Sequence, residues 1–116
     1  MIYAFGAFEL DGARFELRRS GRRVPLAPKA FDLLAYLVQH RDREVSKQEL
    51  LAALWPEGDV ADWSLARALH VVRRALDEKS WGEPPVRTLR GRGYRFTAAV
   101  EVLPGGAPSR AEAAPA

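Results

Sequence analysis

The 116-residue chain has no cysteine, so neither a disulfide framework nor a thiolate metal site is available to it. That absence favours a reducing compartment, and a cytoplasmic location is expected. Only two histidines are present, His40 and His70. No segment approaches the roughly 20 apolar residues that a membrane-spanning helix needs. The N-terminal run Met1-Ile2-Tyr3-Ala4-Phe5-Gly6 has no basic region followed by an apolar stretch, so no secretory signal and no membrane contact are expected. Also missing are a Gly-x-Ser-x-Gly turn, a Gly-x-x-x-x-Gly-Lys phosphate cradle and any carboxylate cluster at metal-ligand spacing. With both histidines on different elements, no nucleophile and base pair is assembled. The chain is not expected to be an enzyme, and neither a cofactor nor a metal is expected.

What the chain does have is charge of uneven distribution. Residues 1–62 hold nine Lys or Arg against ten Asp or Glu, whereas residues 63–116 hold nine against five, so a modest net +3 conceals halves of −1 and +4. Positive charge gathered in one half fits a site for phosphates, although a solvated basic face would look the same. At this length, with 47% hydrophobic residues, one modest core and one domain are expected.

The first 25 residues read as short strands. Tyr3 and Phe5, Phe8 and Leu10, then Phe15 and Leu17 alternate with small or polar neighbours, and Gly6, Asp11-Gly12 and Ser20-Gly21 supply turns. The last of these strands ends near Val24-Pro25-Leu26, because proline cannot donate to a central ladder. A helix then begins at Pro28 and runs to about His40, with Phe31, Leu34, Leu37 and Val38 in a buried stripe and Leu33 at its margin. Ser46-Lys47-Gln48-Glu49 fits a capping box that opens a second helix carrying Leu50, Leu51 and Leu54, stopped by Pro56.

Asp62 is the expected N-cap of a third helix reaching about Asp77. Turning about 100° per residue gathers Leu65, Leu69, Val72 and Leu76 on one side and Trp63, Arg67, His70 and Arg74 on the other. The polar side carries no acid until the helix is nearly finished, unlike a merely solvated helix that mixes signs. Then Val86-Arg87-Thr88-Leu89-Arg90-Gly91-Arg92-Gly93-Tyr94-Arg95-Phe96 reads as a hairpin with a basic, glycine-flanked tip.

A basic helix followed by a basic hairpin is the layout of a winged-helix DNA binder. A helix about 10 to 12 Å across fits the major groove, where arginine donates two hydrogen bonds to guanine and apolar groups touch a thymine methyl. Arg67 and Arg74 are candidates for the first contact and Val71 for the second. Arg90 and Arg92, on either side of Gly91, are candidates for phosphates or a narrow minor groove. The whole reading requires the arginines of the helix and of the hairpin tip to converge on one surface.

Five stretches carry a more specific likeness: Phe5-Gly6-Ala7-Phe8-Glu9-Leu10-Asp11; Pro25-Leu26-Ala27-Pro28-Lys29-Ala30-Phe31-Asp32-Leu33-Leu34; Val45-Ser46-Lys47-Gln48-Glu49-Leu50-Leu51 with Trp55-Pro56; Val72-Arg73-Arg74-Ala75-Leu76; and Thr88 to Phe96. In that order and spacing the chain resembles the OmpR/PhoB-type winged-helix effector domain, also found at the N-terminus of ToxR/CadC-like activators. The resemblance implies an α+β fold: a four-stranded antiparallel N-terminal sheet, three helices and a C-terminal hairpin wing. It implies that Arg67 and Val71 read base edges and that Arg90 enters the minor groove. It places Trp55, Ser64, His70, Arg73, Thr88 and Tyr94 on the DNA backbone, and assigns the loop from Pro56 to Ala61 to RNA polymerase contact. Trp63 stands where an arginine is frequent and is a further backbone candidate, while Val71 stands where several relatives carry a basic residue.

Plainer roles compete. Trp55 closing the core, Trp63 as a hydrophobic staple or partner surface, and Tyr94 and Phe96 as half-core residues all fit the same pattern. The alternative function is a winged helix used as a protein-interaction module without sequence-specific DNA binding. As a transcription regulator, a single module of this size is expected to act as two copies on repeated half-sites. Residues 1–100 are expected to be the domain and 101–116 a flexible tail or linker, since bulky apolar residues are scarce there. With the domain starting at Met1, no preceding receiver is expected in this chain, and a sensor, membrane anchor or repeat region is expected to follow in a parent protein.

Overall fold

The computed structural model describes residues 2–58 and 63–104. They divide into two compact units, residues 2–25 with 99–104, and residues 26–58 with 63–98.

In the first unit, strands β1 (Ile2–Phe5), β2 (Phe8–Asp11), β3 (Glu16–Arg19), β4 (Arg22–Val24) and β7 (Glu101–Leu103) form an antiparallel sheet in the order β4-β3-β2-β1-β7. Tyr3 pairs with Leu10, Leu10 with Leu17 and Leu17 with Val24, so these apolar residues share one face. Phe5, Phe8, Leu10 and Leu17 are buried, and the Phe5 and Phe8 rings stack at 6.1 Å. Asp11 is buried because its Oδ1 closes the turn, accepting from the amides of Ala13 at 3.1 Å and Arg14 at 3.2 Å. Arg18 answers the sheet's acids with contacts of 3.4 Å to Glu9, 3.4 Å to Asp11 and 2.8 Å to Glu16.

Two expectations fail in this unit. Phe15 is not a core partner of Leu17: it closes the Asp11 turn in a left-handed conformation, φ 53°, with 72% of its surface exposed, and β3 starts one residue later. Glu101–Leu103 is not tail but a fifth strand, pairing Ile2 with Leu103 and Ala4 with Glu101. Three residues show no periodicity of their own; they form a strand because β1 offers an open ladder, and Pro104 cannot extend it.

In the second unit, α1 (Pro28–Gln39) buries Ala30, Phe31, Leu33, Leu34, Leu37 and Val38, so Leu33 lies at the centre of the stripe rather than at its margin. Each fully buried leucine contributes about 1.5–3 kcal/mol relative to exposure. Helix α2 (Lys47–Leu54) is capped by Ser46, whose Oγ accepts from the Glu49 amide at 3.0 Å. The reciprocal half of the box is replaced: the Glu49 carboxylate accepts from the Tyr36 hydroxyl at 2.5 Å and from Arg43 at 2.6 and 2.8 Å, tying α2 to the end of α1. Those two donors, Arg43 first, hold the Glu49 carboxyl down at about 2, and the bond to Glu49 raises the Tyr36 phenol.

Helix α3 (Trp63–Ala75) packs on α1 through Leu65, Ala68, Leu69 and Val72. It ends two residues earlier than expected, because Asp77 turns left-handed at φ 52° ahead of a short 3₁₀ turn, Glu78–Ser80. The expected N-cap, Asp62, lies outside the described residues. Strands β5 (Val86–Leu89) and β6 (Gly93–Phe96) form the hairpin, with Val86 opposite Phe96, both buried, and Thr88 opposite Tyr94. Val45, in the α1–α2 connection, adds a one-residue third strand: its amide and carbonyl each bond to Tyr94 at 2.8 Å. Gly93 makes this approach possible, since a Cβ there would stand 2.1 Å from the Val45 carbonyl oxygen.

Candidate nucleic-acid interface

The outward face of α3 is cationic. Trp63, Arg67, His70 and Arg74 are exposed along it, Val71 is half-buried at its edge, and no acidic residue occurs within the helix. Arg73 and Arg74 fall in the last turn, where the helix dipole favours cations. Trp63, with 65% of its surface exposed, stands out as a large apolar side chain in water.

Five of the residues proposed from sequence meet in one open groove of about 190 Å³: Trp55 from the end of α2, and Trp63, Ser64, Arg67 and Val71 from α3. Its other wall belongs to α1. There Lys29 lies 5.5 Å from the Trp55 ring centre and donates from Nζ to the Leu54 carbonyl, which covers the C-terminal end of α2 with a cation. Trp55 is half-buried, so one part of its ring closes the unit while another remains open to the groove.

The hairpin tip forms a second cavity, of about 320 Å³, against the first turn of α2. Thr88, Arg90, Arg92 and Tyr94 line it together with Ser46, Lys47 and Gln48. Gly91, at φ 76°, makes the turn between the two arginines. Tyr94 is half-buried and Phe96 fully buried.

Arg73 joins helix to hairpin. Its Nη2 donates to Thr88 Oγ1 at 2.8 Å and reaches the Val86 carbonyl at 3.4 Å. Its Nε stands 3.2 Å from Glu78 Oε2, an ion pair without hydrogen-bond alignment, which leaves that buried N–H unsatisfied. Arg73 and Thr88, both proposed for the DNA backbone, are thus committed to each other. Arg92 is also engaged, by Glu44 at 2.7 Å. His70 and Arg74 line neither cavity and remain simply exposed on α3. His40 stacks on Tyr36 at 4.2 Å, and among the described residues no three His, Cys, Asp or Glu cluster as metal ligands.

Sequence reasoning missed Lys29, Lys47 and Glu44. Lys47 stands beside a recognised cap, but nothing local signals that the hairpin tip lies against it. Lys29 and Glu44 acquire their partners only through contacts 25 and 48 residues distant.

Three helices, an N-terminal antiparallel sheet and a hairpin after the third helix define a winged helix-turn-helix domain with an arginine-bearing helix face. Residues 21–96 match the family described as "Transcriptional regulatory protein, C terminal", and the chain belongs to that family. It is 35% identical over 99 residues to the transcriptional regulator HilA of Salmonella typhi, covering 85% of this chain and 17% of that protein. It is 38% identical over 90 residues to the transcriptional regulatory protein CutR of Streptomyces coelicolor, covering 76% of this chain and 39% of that one. The chain therefore spans well under half of the curated relatives it matches.

Among solved structures, the DNA-binding domain of CpxR from E. coli superposes with a TM-score of 0.74 at 30% identity, covering 85% of this chain and 99% of that one. The RstA DNA-binding domain of Klebsiella pneumoniae, in complex with the RstA box, gives 0.69 at 28% identity over 83% and 96%. Among the described residues no helix is long and apolar enough to cross a membrane.

Proposed function

We propose that this chain is the double-stranded-DNA-binding domain of a cytoplasmic transcriptional regulator, with α3 in the major groove and the β5–β6 hairpin as a wing in the minor groove. One observation carries the reading: an acid-free face with Arg67, His70 and Arg74, on a helix braced to an arginine-tipped hairpin by the Arg73–Thr88 bond. Family membership and the DNA-binding relatives support it.

Arg67 and Arg74 read base edges and Val71 meets a thymine methyl. Trp55, Trp63 and Ser64 hold the sugar-phosphate backbone at the α2–α3 groove, with His70 on the same helix face and Tyr94 and the Thr88 hydroxyl beside the wing. Arg73 serves the interface as the brace of α3, and Arg90 enters the minor groove. Two copies bind repeated half-sites, since a single module of this size has few phosphate contacts. The loop from Pro56 to Ala61, whose last three residues lie outside the described ones, is assigned to RNA polymerase contact.

Selection of bound duplexes from a random pool, followed by fluorescence anisotropy on the enriched and a scrambled sequence, tests the reading. An enriched motif supports it. Absence of binding to any duplex at low salt refutes it, and binding without preference returns the domain to a protein-interaction role.

A further inference from the structure

The two arginines of the hairpin tip are not equivalent. Arg90 is exposed and pairs with no described residue. Arg92 is held by Glu44 through both carboxylate oxygens: its Nε donates to Oε1 at 3.1 Å and its Nη2 stands 2.7 Å from Oε2. This two-pronged geometry is stronger than an ordinary exposed ion pair. The backbone fixes it. Val45, the next residue, is bonded in both directions to Tyr94, and Gly93 gives the two chains room to touch. Glu44 is therefore delivered to Arg92 whether or not the ion pair forms.

Resting on the DNA-binding reading, we infer that Glu44 sets the charge the wing presents to a duplex: it occupies Arg92, so that Arg90 alone acts as a free guanidinium at the tip. The sequence-independent part of DNA affinity scales with the phosphates neutralised and the counterions released. A guanidinium already neutralised by a neighbouring carboxylate adds nothing to that count. Were Arg92 to swing onto a phosphate, Glu44 would be left as a bare anion facing a polyanion, which opposes the exchange. Glu44 and Arg92 thus enter the interface as a near-neutral unit, and the domain binds all duplexes less tightly than its formal charge suggests.

The test compares wild type, Glu44→Gln, Arg90→Gln and the double variant Glu44→Gln with Arg92→Gln, by anisotropy on a preferred and a scrambled duplex across a salt titration. Glu44→Gln should tighten binding to both duplexes by up to about eightfold at 0.1 M salt and steepen the logarithmic salt slope by about 0.9, the contribution of one more phosphate contact. The double variant, which removes both charges, should bind within about twofold of wild type, while Arg90→Gln should lose affinity and flatten the slope by about 0.9. Thermal unfolding midpoints confirm that each variant is folded, and Glu44→Ala repeats the experiment without the amide.

Glu44→Gln binding like wild type or more weakly overturns the inference. So does a double variant that keeps the gain, since the effect would then be the general field of a lost carboxylate. A double variant much weaker than wild type overturns it as well, because Arg92 would be shown to hold phosphate already. Wild type that binds no duplex refutes the DNA-binding reading itself, whereas wild type that binds while Glu44→Gln changes nothing refutes only the role of Glu44.

Discussion

Replacing Gly93 by alanine should unfasten the wing, and the structure sets the size of the effect. At φ 131° a side chain is strained before any neighbour is considered, and the new Cβ would sit 2.1 Å from the Val45 carbonyl oxygen and 2.8 Å from Ser46 Cα. Both atoms belong to backbone, so no side-chain rotation relieves the overlap. The chain must give up the Val45–Tyr94 bridge, whose two hydrogen bonds are worth about 0.5–1.5 kcal/mol each. The sparsely populated backbone conformation adds a further 1–3 kcal/mol or so. A total near 4 kcal/mol lowers the melting temperature of a domain this size by about 16–32 °C. Gly91→Ala is the control: its φ is 76° but nothing lies within 4 Å of the added atom, so only the left-handed cost of about 1–2 kcal/mol applies. Calorimetry or circular dichroism melts of the two variants decide the matter. If Gly93→Ala melts within about 4 °C of wild type, or no lower than Gly91→Ala, the reasoning about close backbone approach is wrong.

Arg67→Ala should weaken binding to the enriched duplex by about 1–3 kcal/mol and blur its sequence preference, while Arg90→Ala weakens all duplexes more evenly; equal losses for Arg67→Ala on preferred and scrambled DNA would exclude base reading. Ser46→Ala removes the accepting Oγ at the start of α2 and should cost about 1 kcal/mol in urea-unfolding free energy. Glu49 makes stability pH-dependent with a definite sign. Its folded value of about 2 lies below its ordinary 4.5, so the stabilisation is complete above the ordinary value and disappears as pH falls toward 2. The gap in urea midpoint between wild type and Glu49→Gln should therefore narrow from pH 6 to pH 2, and a constant gap across that range would contradict the linkage.

Local rules made the helices legible. Pro28 opens α1, Ser46 caps α2, and apolar residues at three- and four-residue spacing marked the faces that are buried. The hairpin was equally readable, because Gly91 and Gly93 flank a basic tip between two alternating strands. Phe15 was misjudged because period-two counting ignores the extra turn residue that the Asp11 side chain organises. Strand β7 was invisible because three residues acquire structure only from a partner strand almost 100 positions away. Within the candidate interface, residue types and helical face were legible from sequence, but not their present engagements. That Arg73 would brace Thr88, that Glu49 would turn from its cap to Tyr36 and Arg43, and that Glu44 would meet Arg92 all depend on long-range contacts.

The connection between α1 and α2 grips the hairpin at three places: the Arg41 backbone carbonyl accepts from Arg95 Nε at 3.1 Å, Val45 bridges Tyr94, and Glu44 meets Arg92. Two strands of four residues would fray if left alone in water. Clasped in this way, the tip is ordered before any ligand arrives, and the entropy of fixing it is charged to folding instead of to association. An insertion in the short stretch between Gln39 and Lys47 would therefore be felt in recognition before it was felt in the hydrophobic core.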